Sequence, residues 1–214
     1  MTEAIYAIGD IHGRFDLLEK ALQAIARDSG GSATTVFLGD YIDRGPQSSD
    51  VVERLTRGPD RADDRWICLK GNHEAMAVEA CRNGHNRRLW LENGGMETLE
   101  SFGGAIPGTV LEWFDRLPIC HQTERHFFVH AGILPGVPLD AQDEETMLWI
   151  RHRFLDDARD HGKHIVHGHT PGYAAELRPN RTNLDSMAFQ TGRLSVSRFD
   201  RSVKGGPTRL MEVV

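Results

Sequence analysis

Short apolar runs recur along the first third of the chain, and each gives way to polar residues beside glycine. Ala4-Ile5-Tyr6-Ala7-Ile8 leads into Gly9-Asp10-Ile11-His12-Gly13, and Val36-Phe37-Leu38 leads into Gly39-Asp40-Tyr41-Ile42-Asp43-Arg44-Gly45. Trp66-Ile67-Cys68-Leu69 ends in Gly71-Asn72-His73-Glu74. Runs this short, bounded by turn residues, predict buried strands. Between the first two, Leu17, Leu18, Ala21, Leu22 and Ile25 lie at the spacing of one helical face within Arg14 to Arg27, and Ser29-Gly30-Gly31-Ser32 ends the pattern. Pro46 closes the second loop, with Ser48 or Ser49 capping a helix through Val51, Val52 and Leu55. A polar connection over 58–64 precedes the third strand, and a helix runs through Met76 to Cys81 behind it. Three strand–loop–helix units in succession predict a largely parallel sheet with helices on its faces. Ligands of such sheets sit beyond the carboxyl ends of the strands, where these three loops would converge.

The pattern changes between Asn83 and Leu117. This stretch carries Trp90, Phe102, Trp113 and Phe114 and the pairs Gly94-Gly95 and Gly103-Gly104. It predicts a few short helices packed as a cap over the sheet, with the aromatic residues mainly in the core. After Pro118 the chain turns β-rich. Ile119 to Gln122 and Phe127 to Val129 form a hairpin about Thr123-Glu124-Arg125, and the second strand ends in His130-Ala131-Gly132. A helical stretch with Met147, Leu148, Ile150 and Phe154 carries Arg151, and Ile165-Val166 is a short strand ending in His167-Gly168-His169-Thr170. Alternation about Leu194 to Ser197 and Leu210 to Val213 predicts half-buried antiparallel strands. The expected architecture is one α/β domain over residues 1–214, with two sheets face to face, helices outside and a small helical cap around 83–117.

Composition narrows the function classes. At 214 residues, 39% hydrophobic and 26% charged, the chain can bury a core without staples. A formal net charge of −6 and the lack of a dense Lys/Arg block leave no footprint for nucleic acid. Cys68, Cys81 and Cys120 are odd in number and form no CxxC pair, which reads as reduced structural thiols in a cytoplasmic protein. No signal peptide is read before the first strand, and no apolar run approaches a membrane span.

The chemistry gathers where strands end. Gly39 to Gly45 holds two carboxylates and a guanidinium between glycines. A carboxylate can hold a divalent cation, and arginine offers a rigid fork of donors matched to phosphate. Five strand ends carry metal-competent side chains beside glycine: Asp10 and His12, Asp40 and Asp43, Asn72 and His73, His130, and His169. Carboxylates, an amide oxygen and imidazoles without thiolate favour manganese, with iron or zinc as alternatives. Six or seven such ligands suit two divalent ions rather than one.

The order GDIHG, GDYIDRG, GNHE, HAG and GH resembles the calcineurin-like metallophosphoesterases, specifically the serine/threonine phosphoprotein phosphatases in their compact bacterial and lambda-phage form. The resemblance spans residues 5 to 170, and the family fold, a central β-sandwich of mixed sheets flanked by helices, agrees with the pattern above. It implies that Asp10 and His12 hold a first metal, that Asp40 bridges both ions, and that Asn72, His130 and His169 complete the second site. It further implies that Arg44 and Arg151 bind phosphate, that His73 donates a proton to the leaving group and that Asp43 orients His73. The implied reaction is direct attack on a phosphomonoester by a hydroxide held between the two metals.

Two substrate classes share these motifs: phosphoserine or phosphothreonine in proteins, and symmetrical dinucleoside tetraphosphates. Glu74, where tetraphosphate hydrolases usually carry Asp, tilts the expectation to phosphoproteins. A catalytically silent metal-binding scaffold is the remaining reading, and it would have lost a ligand, an arginine or His73. His167 is expected behind the ligands, and His121, His126, His152, His161 and His164 at the surface or in the hairpin. Glu74 is expected as a helix N-terminal carboxylate favoured by the dipole, with ordering of His73 or a nearby arginine as the alternative.

Overall fold

The computed structural model describes residues 4–214, so the first three residues of the expected domain lie outside it. Apolar residues two apart decide the layers, because alternate side chains of a strand face opposite ways. In β1 (Ala4–Ile8), Ile5 and Ala7 face the gap between the sheets, while Tyr6 and Ile8 face the helices. β2 (Ala33–Phe37) and β3 (Arg65–Cys68) run parallel to β1 and do the same: Val36 and Ile67 point inward. Helices α1 (Phe15–Ser29), α2 (Ser48–Arg57) and α3 (Asn72–Arg82) alternate with these strands, as the apolar spacing predicts. Leu17, Leu18, Val51, Val52 and Ala77 of these helices join one large core on the outer face.

The second sheet is built from β4 (Cys120–Gln122), β5 (His126–Val129), β6 (His164–His167), β7 (Glu176–Leu177) and β8 (Arg181–Asn183). Its order is β4-β5-β6-β8-β7, with β5, β6 and β8 parallel and the two edges antiparallel. Phe128 and Val166 meet Ile5, Val36 and Leu38 across the gap, whereas Phe127, Val129 and Ile165 pack outward on Met147 and Phe154. Two mixed sheets face to face with helices outside is the expected fold.

Four local expectations change. Asn72 and His73 already belong to the first turn of α3 rather than to a loop before it, with Glu74 in that turn as expected. The helical stretch carrying Arg151 is two short helices, α7 (Glu144–Trp149) and α8 (His152–Leu155), and Arg151 sits at the break with φ −132° and ψ −104°. β9 (Leu194–Phe199), between β1 and β10 (Arg209–Val213) in the order β10-β9-β1-β2-β3, is buried on both faces rather than one, because one face packs on the outer core and the other on the second sheet. Leu194 and Val196 join the outer core, and Phe199 joins the inner one. His164 is buried rather than superficial, and His126, in the hairpin as expected, is buried too, since each begins a strand covered on both sides.

The stretch 83–117 is helical: α4 (Arg87–Trp90), a wide turn over Leu91–Gly95, α5 (Met96–Ser101) and α6 (Gly108–Arg116). Trp90 and Phe114 are fully buried, as expected for core aromatics. Gly94 explains the first glycine pair. Its φ of 107° excludes most side chains, and a Cβ there would meet the Arg44 backbone nitrogen at 2.4 Å. The cap thereby reaches the loop of β2.

Candidate active site

The ends of β1, β2 and β3 in one sheet and of β5 and β6 in the other converge on one buried cluster. Five of its residues hold left-handed backbone without being glycine: His12 (φ 45°), Asp40 (54°), Asp43 (71°), Arg44 (71°) and His169 (64°). Such conformations persist only where the surroundings enforce them, and they concentrate at functional sites. Here the enforcement is visible. The Glu74 carboxylate accepts from the backbone nitrogens of Asp40 (3.0 Å), Tyr41 (2.8 Å) and Gly71 (2.9 Å). Ile11 and His12 both donate to the Asp40 carbonyl at 3.1 and 2.9 Å, and Arg44 N donates to the Gly94 carbonyl at 3.2 Å.

Asp40 is the centre of the arrangement. One carboxylate oxygen lies 3.6 Å from His12 Nε2 and 3.9 Å from His73 Nε2; the other lies 3.4 Å from His130 Nε2. Two groups of mutually close donors share it: His12, Asp40 and His73, and Asp40, His130 and His169. Burial pushes the Asp40 carboxyl up, but the surrounding His130, His73, His12 and His169 outweigh it and hold it below the ordinary carboxylate range.

The imidazoles are oriented as metal ligands are. His12 Nδ1 donates to the Ile42 carbonyl and His130 Nδ1 to the Leu38 carbonyl, both at 2.8 Å. Each therefore turns Nε2, with its lone pair, toward Asp40. Burial lowers the pKa of His130 against the pull of Asp40, and in its neutral ring the proton sits on Nδ1. His130 Nε2 then faces Asn72 Oδ1 at 2.8 Å, acceptor against acceptor. A cation shared by the two resolves that conflict, and the O/N donor set without thiolate suits a hard or borderline divalent ion. The residues present fit such ions. Asp10 belongs to neither group; its carboxylate accepts from His169 N at 3.1 Å and so ties the two sheets together.

Beside this cluster, His73 Nδ1 donates to Asp43 at 2.6 Å. Burial pulls the His73 pKa down and Arg44 does likewise, but Asp40 and Asp43 outweigh them and raise it above the ordinary imidazole value. Two residues that sequence reasoning missed complete the Asp43 shell: Trp90 Nε1 donates at 2.9 Å and Thr98 Oγ1 at 2.6 Å. Both come from the cap, and no local pattern links them to a loop some 50 positions earlier. Glu74 had a readable signal, a carboxylate three residues after the N-cap Gly71. Asp185, also missed, lies buried near Asp10 and Asp40, with its carboxyl pushed up to about 6 by burial and by Asp40.

Arg44 places Nη1 2.9 Å from His12 Nε2 and Nη2 3.1 Å from His73 Nε2. Arg151 Nε donates to His169 Nε2 at 3.1 Å. The two arginines flank a cavity of about 270 Å³ floored by Asp40, Asn72 and His73, with Met76, Leu89, Asn93, Trp149 and Pro171 at its rim. His167 stays behind the cluster, donating to the Gly168 carbonyl at 3.0 Å and edge-on to Phe154. Every residue expected at the site is thus near it.

Residues 4–199 match the family model described as calcineurin-like phosphoesterase. Over 209 residues the chain is 31% identical to serine/threonine-protein phosphatase 1 of Salmonella typhimurium, covering 91% of each. It is 30% identical over 177 residues to the symmetrical bis(5'-nucleosyl)-tetraphosphatase of Paracidovorax citrulli, covering 78% of this chain but only 58% of that one. A crystal structure provisionally assigned as a diadenosine tetraphosphatase shares the fold, with TM-score 0.74, 24% identity and coverage of 100% of this chain and 94% of the other.

Proposed function

The chain belongs to the calcineurin-like phosphoesterase family, and from that premise we propose that it is a phosphomonoesterase acting on phosphoserine and phosphothreonine in proteins. The observation that carries the reading is the His73–Asp43 pair, 2.6 Å apart, opening onto a cavity between Arg44 and Arg151. A serine or threonine alkoxide is a poor leaving group and needs a positioned acid. His73, whose pKa Asp40 and Asp43 raise against burial, is such an acid, and Asp43 orients it through Nδ1.

Asp10, His12 and Asp40 would hold one divalent ion, and Asp40, Asn72, His130 and His169 a second, with manganese favoured by the donor set. Bound there, such ions supply Lewis acidity toward the phosphoryl group and lower the pKa of water. The remaining work falls to the chain. Arg44 and Arg151 take up the charge of the phosphoryl oxygens from two sides. His73 passes its proton to the departing oxygen. Residues 1–214 act as one catalytic domain, with the helices over 83–117 as its cap. No helix among the described residues is long and apolar enough to cross a membrane, and Cys68, Cys81 and Cys120 are unpaired, which supports a cytoplasmic setting.

Protein monoesters are favoured over tetraphosphates by the rim. Away from the floor, the part of the lining beyond the two arginines is Met76, Leu89, Asn93, Trp149 and Pro171, none of them cationic. A tetraphosphate would leave several charges there without a partner, at a cost that rises with desolvation. Initial rates with manganese on phosphoserine and phosphothreonine peptides, beside diadenosine tetraphosphate, test it. Higher kcat/KM on the peptides is expected; the reverse order would replace the assignment by the tetraphosphatase.

A further inference from the structure

Arg44 is held in an unusual way. Its backbone sits at φ 71°, and its guanidinium touches two imidazoles but pairs with no carboxylate among the described residues. A guanidinium meant for phosphate gains from that, because a carboxylate partner would compete with the substrate for the same fork of donors. The rigid orientation must then come from elsewhere. At its edge it comes from the two imidazoles, and at its face from Phe189, whose ring lies under the guanidinium with Arg44 Cζ 5.1 Å from the centroid. An aromatic face attracts and orients a guanidinium while leaving its in-plane N–H donors free.

The ring is itself fixed. It stands edge-on to His12, with centroids 5.6 Å apart and planes at 85°. It belongs to α9 (Ala188–Thr191), which is anchored to α1 by Arg14 Nη1 donating to the Ala188 carbonyl at 2.9 Å. Just before α9, Met187 holds φ 50° and donates its backbone N–H to the Asp185 carboxylate at 2.9 Å. A segment with a left-handed non-glycine residue and two tethers is built to one position.

We propose that Phe189 is a positioning residue that aims Arg44 at the phosphoryl group, an inference that rests on reading Arg44 as phosphate-binding. The ring has no polar atom and takes no part in proton transfer; it acts through the arginine. A cation–π contact of the usual strength corresponds to about a 3- to 30-fold effect on affinity.

The test is a double-mutant cycle read by inorganic phosphate affinity of the manganese-loaded protein, with metal content and p-nitrophenyl phosphate kinetics measured on each variant. Phe189→Leu keeps an apolar side chain without the π face, and Phe189→Tyr keeps the face. Phe189→Leu is expected to weaken phosphate binding about 3- to 30-fold and to raise KM, with full metal occupancy. Phe189→Tyr should restore the parent values. In an Arg44→Ala background, Phe189→Leu should cost nothing further. Equal losses from Phe189→Leu in both backgrounds, or failure of tyrosine to rescue, would overturn the inference, as would loss of metal, which would mean that the ring supports His12 instead. If Arg44→Ala alone leaves phosphate affinity unchanged, the reading of Arg44 fails and the inference falls with it. If Arg44→Ala weakens binding and Phe189→Leu does not, only the inference falls.

Discussion

Three donors meet the buried Asp43 carboxylate, from His73, Trp90 and Thr98, and their convergence is what gives His73 a defined tautomer. A proton on His73 Nδ1 is spent on Asp43, so the proton available for transfer is one carried on Nε2, where Arg44 Nη2 lies 3.1 Å away and must turn aside once Nε2 is protonated. Its worth depends on the leaving group. A serine alkoxide cannot depart unprotonated, and positioned acid catalysis is typically worth about 10²–10⁴-fold. A nitrophenolate departs with little help. His73→Asn is therefore expected to lower kcat on a phosphoserine peptide by about 10²-fold or more, while p-nitrophenyl phosphate hydrolysis falls far less and metal content is unchanged. Equal falls on the two substrates would recast His73 as an electrostatic group. The motif residues at this scale were legible because each lies within a few positions of a strand end. Trp90, Thr98, Asp185 and Phe189 were not, since their approach depends on the cap and on the segment after β8, which no local spacing encodes.

At the scale of elements, the helix α3 shows how one side chain can serve two loops. Gly71 to Glu74 looks like a polar loop because Gly, Asn and His are poor cues for a helix, yet Glu74 accepts from the N-cap Gly71 N–H and reaches across to Asp40 and Tyr41. Gly71 allows this closeness: a Cβ there would stand 2.2 Å from an Asp40 carboxylate oxygen. The three parallel strand–helix units were readable from apolar runs. The break at Arg151 was not, because the helical spacing of Met147, Leu148 and Phe154 continues straight through it. β9 misled for a different reason: Ser195 and Ser197 alternate as solvent-facing residues do, yet both are buried between sheets. Removing Glu74 should undo more than a helix cap. Glu74→Ala leaves three buried backbone N–H groups without their acceptor, and at about 1–3 kcal/mol for each unsatisfied group the loss should be about 3 kcal/mol or more. Urea unfolding measures it. A loss confined to the roughly 1 kcal/mol typical of a surface cap would show that the contacts to the Asp40 loop contribute nothing.

The whole molecule has two ends with opposite chemistry. At the carboxyl ends of the parallel strands, face-to-face sheets bring Asp40 of one and His130 of the other within 3.4 Å. At the amino ends of β5 and β6 lie His126 and His164, buried, with ring centroids 6.2 Å apart. His126 Nε2 donates to the Gly205 carbonyl at 3.1 Å, and His164 Nε2 meets Thr182 Oγ1 at 2.9 Å. Burial, and then His126, lowers the His164 pKa to about 4, and burial lowers that of His126 as well. In the unfolded chain both return to the ordinary imidazole value near 6.5. Between those values the unfolded state binds more protons than the folded one, so stability falls as pH drops. The window for His164 runs from about pH 6.5 down to about pH 4, below which its contribution is fully lost. Other buried histidines, His167 and His169 among them, titrate in the same sense, so the signature is a difference. Replacing both His126 and His164 by Gln, which titrates at neither pH, should flatten the curve of urea midpoint against pH across that window in chelator-treated protein. Parallel curves for parent and double variant would show that this end of the sandwich is indifferent to acid, leaving the pH dependence to the histidines around Asp40.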